Sequence, residues 1–451
     1  MSETIRKMKI SKFLFSSLFL LLLGSSCKSV YRMERDREVR DWLESSAQEN
    51  GVLEGILILN TAEGDTLLAR QAERLFIPAS TTKVFTLYTG MKLLPTRLPV
   101  LKYRFQEDRI ELIPTGDPTQ LHPYFKDSTA LRFLRKAPPI QIHWELFEEN
   151  AWGPGWAWED YPYYFSPDRS AFPLFGNTVE IIEKDSSLQV LPSLMSSRVK
   201  RSIKRQPRRE RFSNDFSLPS TALRDTLIVP YITSDSLSLA LLSNELGLPL
   251  YKAPDSIAPS LTDSTALEAP FRVLLGAVSD SLYKYMMAES DNFLAEQIML
   301  MSASTLSDTL SFRRSRDSII KWHLPFLRDR SRWVDGSGLS RYNLQSPANL
   351  VNTLLALKKD FPESRLQNLF PAYSFVQRNS TAWELQKSTK DSAVVFAKSG
   401  YVGNNYNLTG FLYTEKGNLL VFALMQNHYL QPTVEIRRRV ATLLHQAYLK
   451  Y

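Results

Sequence analysis

Ser80 and Lys83 stand three residues apart in Ile77-Pro78-Ala79-Ser80-Thr81-Thr82-Lys83-Val84-Phe85. Pro78 forces a turn, and the residues after it read as the first turn of a helix, where side chains three apart share a face. A serine hydroxyl is a poor nucleophile until a base takes its proton, and a neutral lysine amine one turn away can do so. The helix N-terminus adds backbone N–H groups and a positive dipole end beside the attacking oxygen. The chemistry encoded is nucleophilic attack by Ser80 with Lys83 as base. The spacing alone is not selective, because Ser-x-x-Lys recurs at Ser25, Ser197, Ser281 and Ser318. Two later segments single out Ser80: Ser290-Asp291-Asn292 in an apolar helical stretch, and Lys398-Ser399-Gly400 at the end of a β-branched run.

These three segments lie far apart in the chain, so a fold must bring them together. With 451 residues, 43% hydrophobic and 23% charged, the chain is an ordinary globular one with two domains expected. Residues 51–60 read as a strand and 66–70 as its hairpin partner, ahead of the Ser80 helix. From about residue 98 short alternating runs are broken by Gly116-Asp117-Pro118, by Gly153-Pro154-Gly155-Trp156 and by Gly176-Asn177, the pattern of a mostly β insertion. A helix over 234–246, stopped by Gly247, closes that insertion. One long helix is expected over 277–302 with Ser290 near its middle, then a glycine-rich loop at Asp335-Gly336-Ser337-Gly338 and an amphipathic helix over 347–358. Strands over 393–398, 407–413 and 418–426 and a helix over 434–448 finish the chain. The simplest assembly is α+β: an antiparallel sheet built from both chain ends, with helices packed over it.

The remaining features set limits. Arg6, Lys7, Lys9 and Lys12 precede the apolar run 13–23, which is too short for a membrane span and is flanked as a secretory signal is. Cys27, the single cysteine, stands where a bacterial lipoprotein signal is cut and acylated; within the chain it excludes a disulfide. The expected layout is therefore a signal peptide over 1–26, a tether over 27–37, a catalytic domain from 38–97 and 266–451, and an inserted domain over 98–265. Five scattered histidines without ligand spacing argue against a metal site, and no cofactor is expected. Net charge is +8, and residues 198–211 carry eight basic side chains against Glu210. On an exported chain that run reads as a solvated loop or an anionic-polymer contact, not as a nucleic-acid site. Trp152, Trp156, Trp158 and Tyr161 read as loop or core anchors before they read as a sugar-stacking surface.

The ordered set Ser80-x-x-Lys83, Ser290-Asp291-Asn292, Lys398-Ser399-Gly400 resembles the signature of β-lactamases and penicillin-binding proteins. The wide gap between Ser80 and Ser290, with Gly116-Asp117-Pro118, Pro154-Gly155-Trp156 and Asp335 to Arg341, resembles one branch of it. That branch is the low-molecular-mass penicillin-binding proteins of the D-alanyl-D-alanine carboxypeptidase/endopeptidase group with an inserted domain. The resemblance implies a β-lactamase/DD-peptidase-like antiparallel sheet flanked by helices, with the mostly β domain between the first two motifs. It implies acyl transfer on peptidoglycan stem peptides, with β-lactams as covalent inhibitors, in the bacterial cell envelope on a lipid anchor facing the periplasm. Ser80 would be the nucleophile, Lys83 its base, Ser290 a proton relay, and Asn292 a holder of the substrate amide. Lys398 and the Ser399 hydroxyl would bind the terminal carboxylate. Gly400 would allow close approach, and the amides of Ser80 and Tyr401 would form the oxyanion hole. Ser399 and Tyr401 depart from the usual threonine and small hydroxyl residue. The Tyr401 phenol is expected to reshape the carboxylate pocket. Two rival readings are an inert peptidoglycan-binding lipoprotein of the same fold and a β-lactamase-like esterase; Glu296 or Asp291 would then be candidates for activating water.

Overall fold

The computed structural model describes residues 31–48, 52–144, 146–185, 187–202, 208–253, 270–307, 309–379 and 382–451. Cys27 and the signal and tether residues 1–30 lie outside the described residues, as do 203–207 of the basic run.

A seven-stranded antiparallel sheet carries the site. Its strands are β1 (Leu53–Asn60), β2 (Thr66–Arg70), β3 (Ala372–Gln377), β4 (Trp383–Lys387), β5 (Val395–Val402), β6 (Asn405–Tyr413) and β7 (Leu419–Asn427), in the order β4-β3-β5-β6-β7-β1-β2. Both chain ends meet in its centre, where β1 pairs with β7 from Leu53↔Asn427 to Asn60↔Leu420. Successive strand residues face opposite sides, and the sheet is covered on both. Phe396, Phe411, Val421, Ala423 and Met425 pack against α1 (Lys83–Leu93), α2 (Ser279–Ala288), α3 (Asn292–Ser304) and α4 (Pro347–Asp360). Val395, Ala397, Tyr406, Leu408, Phe422 and Leu424 pack against Ile436, Val440 and Leu444 of α5 (Thr433–Lys450) and Val39 of an N-terminal helix. β6 is therefore buried along almost its whole length.

Two expectations about elements are corrected. The single long helix over 277–302 is two helices, α2 and α3, and Ser290 sits between them in the left-handed region at φ 56°. Asp291 then caps α3 by accepting the Leu294 N–H at 2.9 Å, so the polar triplet ends one helix and starts the next. The second correction is the pair β3 and β4, which the sequence does not announce. Their residues are mostly half-buried and mix Tyr, Ser and Gln with apolar residues, so the two-residue alternation is weak.

The residues between α1 and α2 form the second hydrophobic cluster, which includes Leu300 of α3 and Leu310. It contains a five-stranded sheet in the order Leu250–Lys252, Ile140–Ile142, Ile110–Pro114, Arg97–Phe105, Arg272–Val278, and two three-stranded sheets. A helix over Asp235–Leu246 begins at its Ser234 cap and ends at Gly247 in the left-handed region. Among the described residues no helix is long and apolar enough to cross a membrane, and no group of three or more His, Cys, Asp or Glu could hold a metal.

Candidate active site

Ser80 is held by the sheet before it is held by its helix. Ile77 donates its N–H to Asn427 Oδ1 at 2.7 Å. Asn407 Nδ2 donates to the carbonyls of Ile77 and Pro78, both at 2.9 Å, and Asn427 Nδ2 donates to Asn407 Oδ1 at 3.0 Å. Two buried asparagines of β6 and β7 thus fix the turn that presents Ser80. The turn runs into a 3₁₀ segment, Ala79–Thr82, and α1 starts at Lys83. Ala79, just before the serine, is in the left-handed region at φ 48°. Strain of this kind, on the order of 1–3 kcal/mol per residue, persists only where surrounding contacts over-determine the backbone.

Lys83 is fully buried, and its Nζ makes three contacts. Ser80 Oγ is at 3.0 Å, Asn292 Oδ1 at 2.6 Å and the Ser337 carbonyl at 2.7 Å. Burial lowers its pKa to about 8, against the opposing pull of Asp291, Asp335 and Glu296. Lys398, also buried, donates to Ser290 Oγ at 2.9 Å and to the Ser399 carbonyl at 2.8 Å. Burial first, and then the neighbouring cations Lys83 and Lys387, bring its pKa well below the usual lysine range.

The carbonyl on Lys83 comes from the glycine-rich loop, whose part the sequence does not reveal. Asp335, fully buried, accepts the N–H of Gly338 at 2.9 Å and of Ser340 at 2.6 Å, and Asn343 Nδ2 at 2.7 Å. Trp156 Nε1 of the insertion donates to the same carboxylate at 3.0 Å, so this tryptophan is a buried anchor. Glu296 Oε1 accepts the Ser337 N–H at 2.8 Å beneath the loop, with Arg169 Nη1 3.6 Å from its other oxygen. Burial and Asp335 push the Glu296 carboxyl up to about 7. Glu296 is buried under the loop, while Asp291 borders the cavity but is engaged as the cap of α3.

Ser80, Ser290, Asn292, Gly338 and Tyr401 line one cavity of about 590 Å³, whose far wall belongs to the insertion through His122, Tyr124, Phe165 and Glu180. Asn292 Nδ2 donates to the Phe165 carbonyl at 2.9 Å and so ties that wall to α3. Gly400 lies against the backbone around Ser80: a Cβ there would meet Pro78 O at 2.6 Å and Ser80 N at 2.9 Å. Ala397 donates its N–H to Pro371 on the β3 side of β5. By the two-residue period the Tyr401 N–H points to that same edge, which β3 leaves unpaired beyond Phe396. Ser399 is the exception. Strand alternation turns its side chain to the opposite face from Lys398, where it lines a separate cavity with Tyr373, Tyr406 and Arg437. The expected joint grip of Lys398 and Ser399 side chains from one face is not found.

The model of the D-Ala-D-Ala carboxypeptidase 3 (S13) family matches residues 39–447. The chain is 28% identical over 168 residues to D-alanyl-D-alanine carboxypeptidase DacB of Haemophilus influenzae, a match that covers 36% of this chain and 34% of that protein. The crystal structure of penicillin binding protein 4 (dacB) from Haemophilus influenzae superimposes with a TM-score of 0.68 at 19% identity, covering 92% of this chain and all (100%) of that one. The same protein complexed with a novel β-lactam gives 0.63 at 17% identity, over 91% and 99% of the two chains. The α+β fold with its antiparallel sheet and flanking helices is the fold of that penicillin-binding protein. Matched from the N-terminal helix to the last one, the chain belongs to the D-Ala-D-Ala carboxypeptidase 3 (S13) family.

Proposed function

We propose that the chain is a serine-type D-alanyl-D-alanine carboxypeptidase or DD-endopeptidase, cutting peptidoglycan stem peptides through an acyl-enzyme on Ser80 and acylated there by penicillin. The carrying observation is the three-point hold on Lys83 Nζ. A neutral amine has two N–H donors and one lone pair. Asn292 Oδ1 and the Ser337 carbonyl accept only, so they take the two donors, and the lone pair is left for the Ser80 proton. The same set would satisfy an ammonium, which is why the lowered pKa matters: at about 8, roughly a tenth of Lys83 is neutral at pH 7.

In this reading Ser80 attacks the carbonyl between two D-alanines as its proton passes to Lys83. The amides of Ser80 and Tyr401 receive the oxyanion; a preorganised donor of this kind contributes on the order of 10²–10³ in rate. Ser290, held by Lys398, relays the proton gained by Lys83 to the leaving amine, and water then hydrolyses the Ser80 ester to release the acyl product. Asn292 orients Lys83 and keeps a second Oδ1 lone pair for a substrate N–H. Lys398 supplies positive charge for a terminal carboxylate, and Gly400 lets the substrate backbone lie along β5. The chain divides into a catalytic body over 38–97 and 266–451 and an inserted one over 98–265, the strand Arg272–Val278 completing the inserted sheet. Export, acylation of Cys27 and a periplasm-facing membrane anchor belong to the same proposal. Incubation with a fluorescent penicillin tests the core of it: wild type becomes labelled at Ser80 and Ser80→Ala does not. Equal labelling of the variant ends the proposal.

A further inference from the structure

The cavity that Ser399 lines, about 280 Å³, lies on the α5 face of β5 and β6. Ser399 and Tyr401, two apart on β5, face the same side. Tyr401 lines the catalytic cleft while Ser399 lines this second space, so the exposed Tyr401 side chain stands between them. Across the strands, Tyr401 pairs with Tyr406.

The polar groups that face this space, Glu384 aside, can all donate, and Arg437 among them is exposed. Tyr406 is 6% exposed, yet its hydroxyl has no hydrogen-bond partner among the described residues. That hydroxyl is not one of the buried atoms left unpaired, so it opens onto the cavity and is free to meet a ligand there. Arg437 stacks its guanidinium over the Tyr406 ring, 5.4 Å from the centroid. It pairs with no carboxylate among the described residues, whereas its neighbour Arg438 is bonded to Glu384 at 2.6 Å. Glu384, which also borders the cavity, is spent on both sides: its second oxygen accepts from Arg378 at 2.6 Å. The Ser399 hydroxyl lies beside the Tyr373 phenol, which feels the Arg437 cation as well. A guanidinium fork, a phenol and a serine hydroxyl around a space of this size call for a small, planar, acceptor-only anion.

We propose that this cavity binds a carboxylate, that of a small D-amino acid, on Arg437, Tyr406 and Ser399. The identity of the carboxylate rests on the DD-peptidase reading; the site itself does not. With the substrate terminus assigned to Lys398 on the other face of β5, the source is the released amino acid, acting on the strand that carries Lys398 and the Tyr401 amide.

Calorimetric titration of full-length Ser80→Ala protein with D-alanine, and with D-alaninamide as the control lacking the carboxylate, tests the site without turnover. D-Alanine is expected to bind and the amide not. Arg437→Gln should weaken binding roughly tenfold or more, with Tyr406→Phe following by a few-fold and the melting temperature of both unchanged. Equal binding of acid and amide, no binding by folded protein, or an unaltered affinity in Arg437→Gln overturns the proposal. Hydrolysis of a peptide ending in D-Ala-D-Ala by the otherwise wild-type chain tests the source. A raised KM at constant kcat in Arg437→Gln would overturn this assignment by placing the substrate terminus here and not at Lys398. An unchanged KM with loss of the response to added D-alanine assigns the site to the released amino acid. Failure of the wild type to hydrolyse the peptide would sink the peptidase reading and leave the titration standing.

Discussion

At the scale of single residues, the proposed mechanism turns on one buried amine. In it Lys83 must be neutral to act, and burial brings it to about 8 in spite of three nearby carboxylates. Acylation by a penicillin is therefore expected to rise about tenfold per pH unit below pH 8 and to level off above it, the rate at pH 7 being roughly a tenth of the plateau. Stopped-flow acylation rates from pH 6 to 9 check this; a flat profile would mean that another group takes the Ser80 proton. Lys83→Met should cost on the order of 10²–10⁴ in rate, the usual contribution of a positioned base. Ser290 offers a second residue-scale test because its hydroxyl and its backbone pull in opposite directions. At φ 56° a non-glycine residue carries about 1–2 kcal/mol of strain. Ser290→Gly removes that strain, adds about 0.5–1 kcal/mol of chain entropy to the unfolded state, and abolishes the contact with Lys398 Nζ. Urea denaturation should show stability unchanged or raised by about 1 kcal/mol, while peptide turnover falls by at least tenfold. A clear loss of stability would show that the Ser290 hydroxyl holds α2 and α3 together.

At the scale of elements, close backbone approach decides what the loops tolerate. Gly338 and Gly417 have nearly the same backbone, φ +81° and +82°. A Cβ on Gly417 meets nothing within 4 Å, but one on Gly338 would lie 1.9 Å from the carbonyl of Ala79, next to Ser80. Gly417→Ala should cost only left-handed strain, about 1–2 kcal/mol, with acylation unchanged. Gly338→Ala should add roughly 1–3 kcal/mol of overpacking and slow acylation as Ala79 and Ser80 move. Urea midpoints with acylation rates for the pair measure both effects; a Gly338→Ala protein with wild-type acylation would mean that the loop does not set the serine. The same contrast explains how much of the site is legible in the sequence. Ser80 and Lys83 are legible because residues three apart converge in a 3₁₀ turn as they do in an α-helix, so the helix type does not matter. The break at Ser290 is not legible: the apolar periodicity of 277–302 continues through it, and only tertiary contacts hold a serine in the left-handed region. Asn407 and Asn427, which fix the Ser80 turn, lie 330 and 350 residues from their partners and read as poor strand formers. The Ser337 contact is made by a carbonyl, which no side-chain pattern can announce. Ser399 misleads because a motif of adjacent residues suggests one joint grip, while a strand sends neighbours to opposite faces.

At the scale of the molecule, the segment proposed as an insertion contacts the residues around Ser80 and Lys83 as well as lining the cleft. Trp156 reaches Asp335, the Phe165 carbonyl receives Asn292, and Arg169 lies between Glu149 and Glu296. Arg169 lends itself best to an energetic test, because it is a buried cation beside a buried carboxylate that is reluctant to ionise. With Glu296 raised from 4.5 to about 7, the native state prefers the protonated acid. Its contribution to stability is fully present below about pH 4.5 and is lost as pH rises through about 7. Arg169→Gln removes the opposing cation and pushes Glu296 higher still, so its ionised form becomes costlier in the fold. Breaking a buried pair typically costs about 3–5 kcal/mol when the remaining charge persists. The penalty for Arg169→Gln should therefore approach that range at pH 8 and shrink well below it at pH 5, where Glu296 is neutral in both proteins. The Ser337 carbonyl rides on the Glu296-bound amide, so acylation should fall along with stability at pH 8. Urea midpoints of the two proteins at both pH values read the difference directly. An equal gap at pH 5 and pH 8 would mean that Arg169 acts through its bonds to the Asn150 carbonyl and its packing on Trp156, with no electrostatic link from the insertion to the loop that holds Lys83.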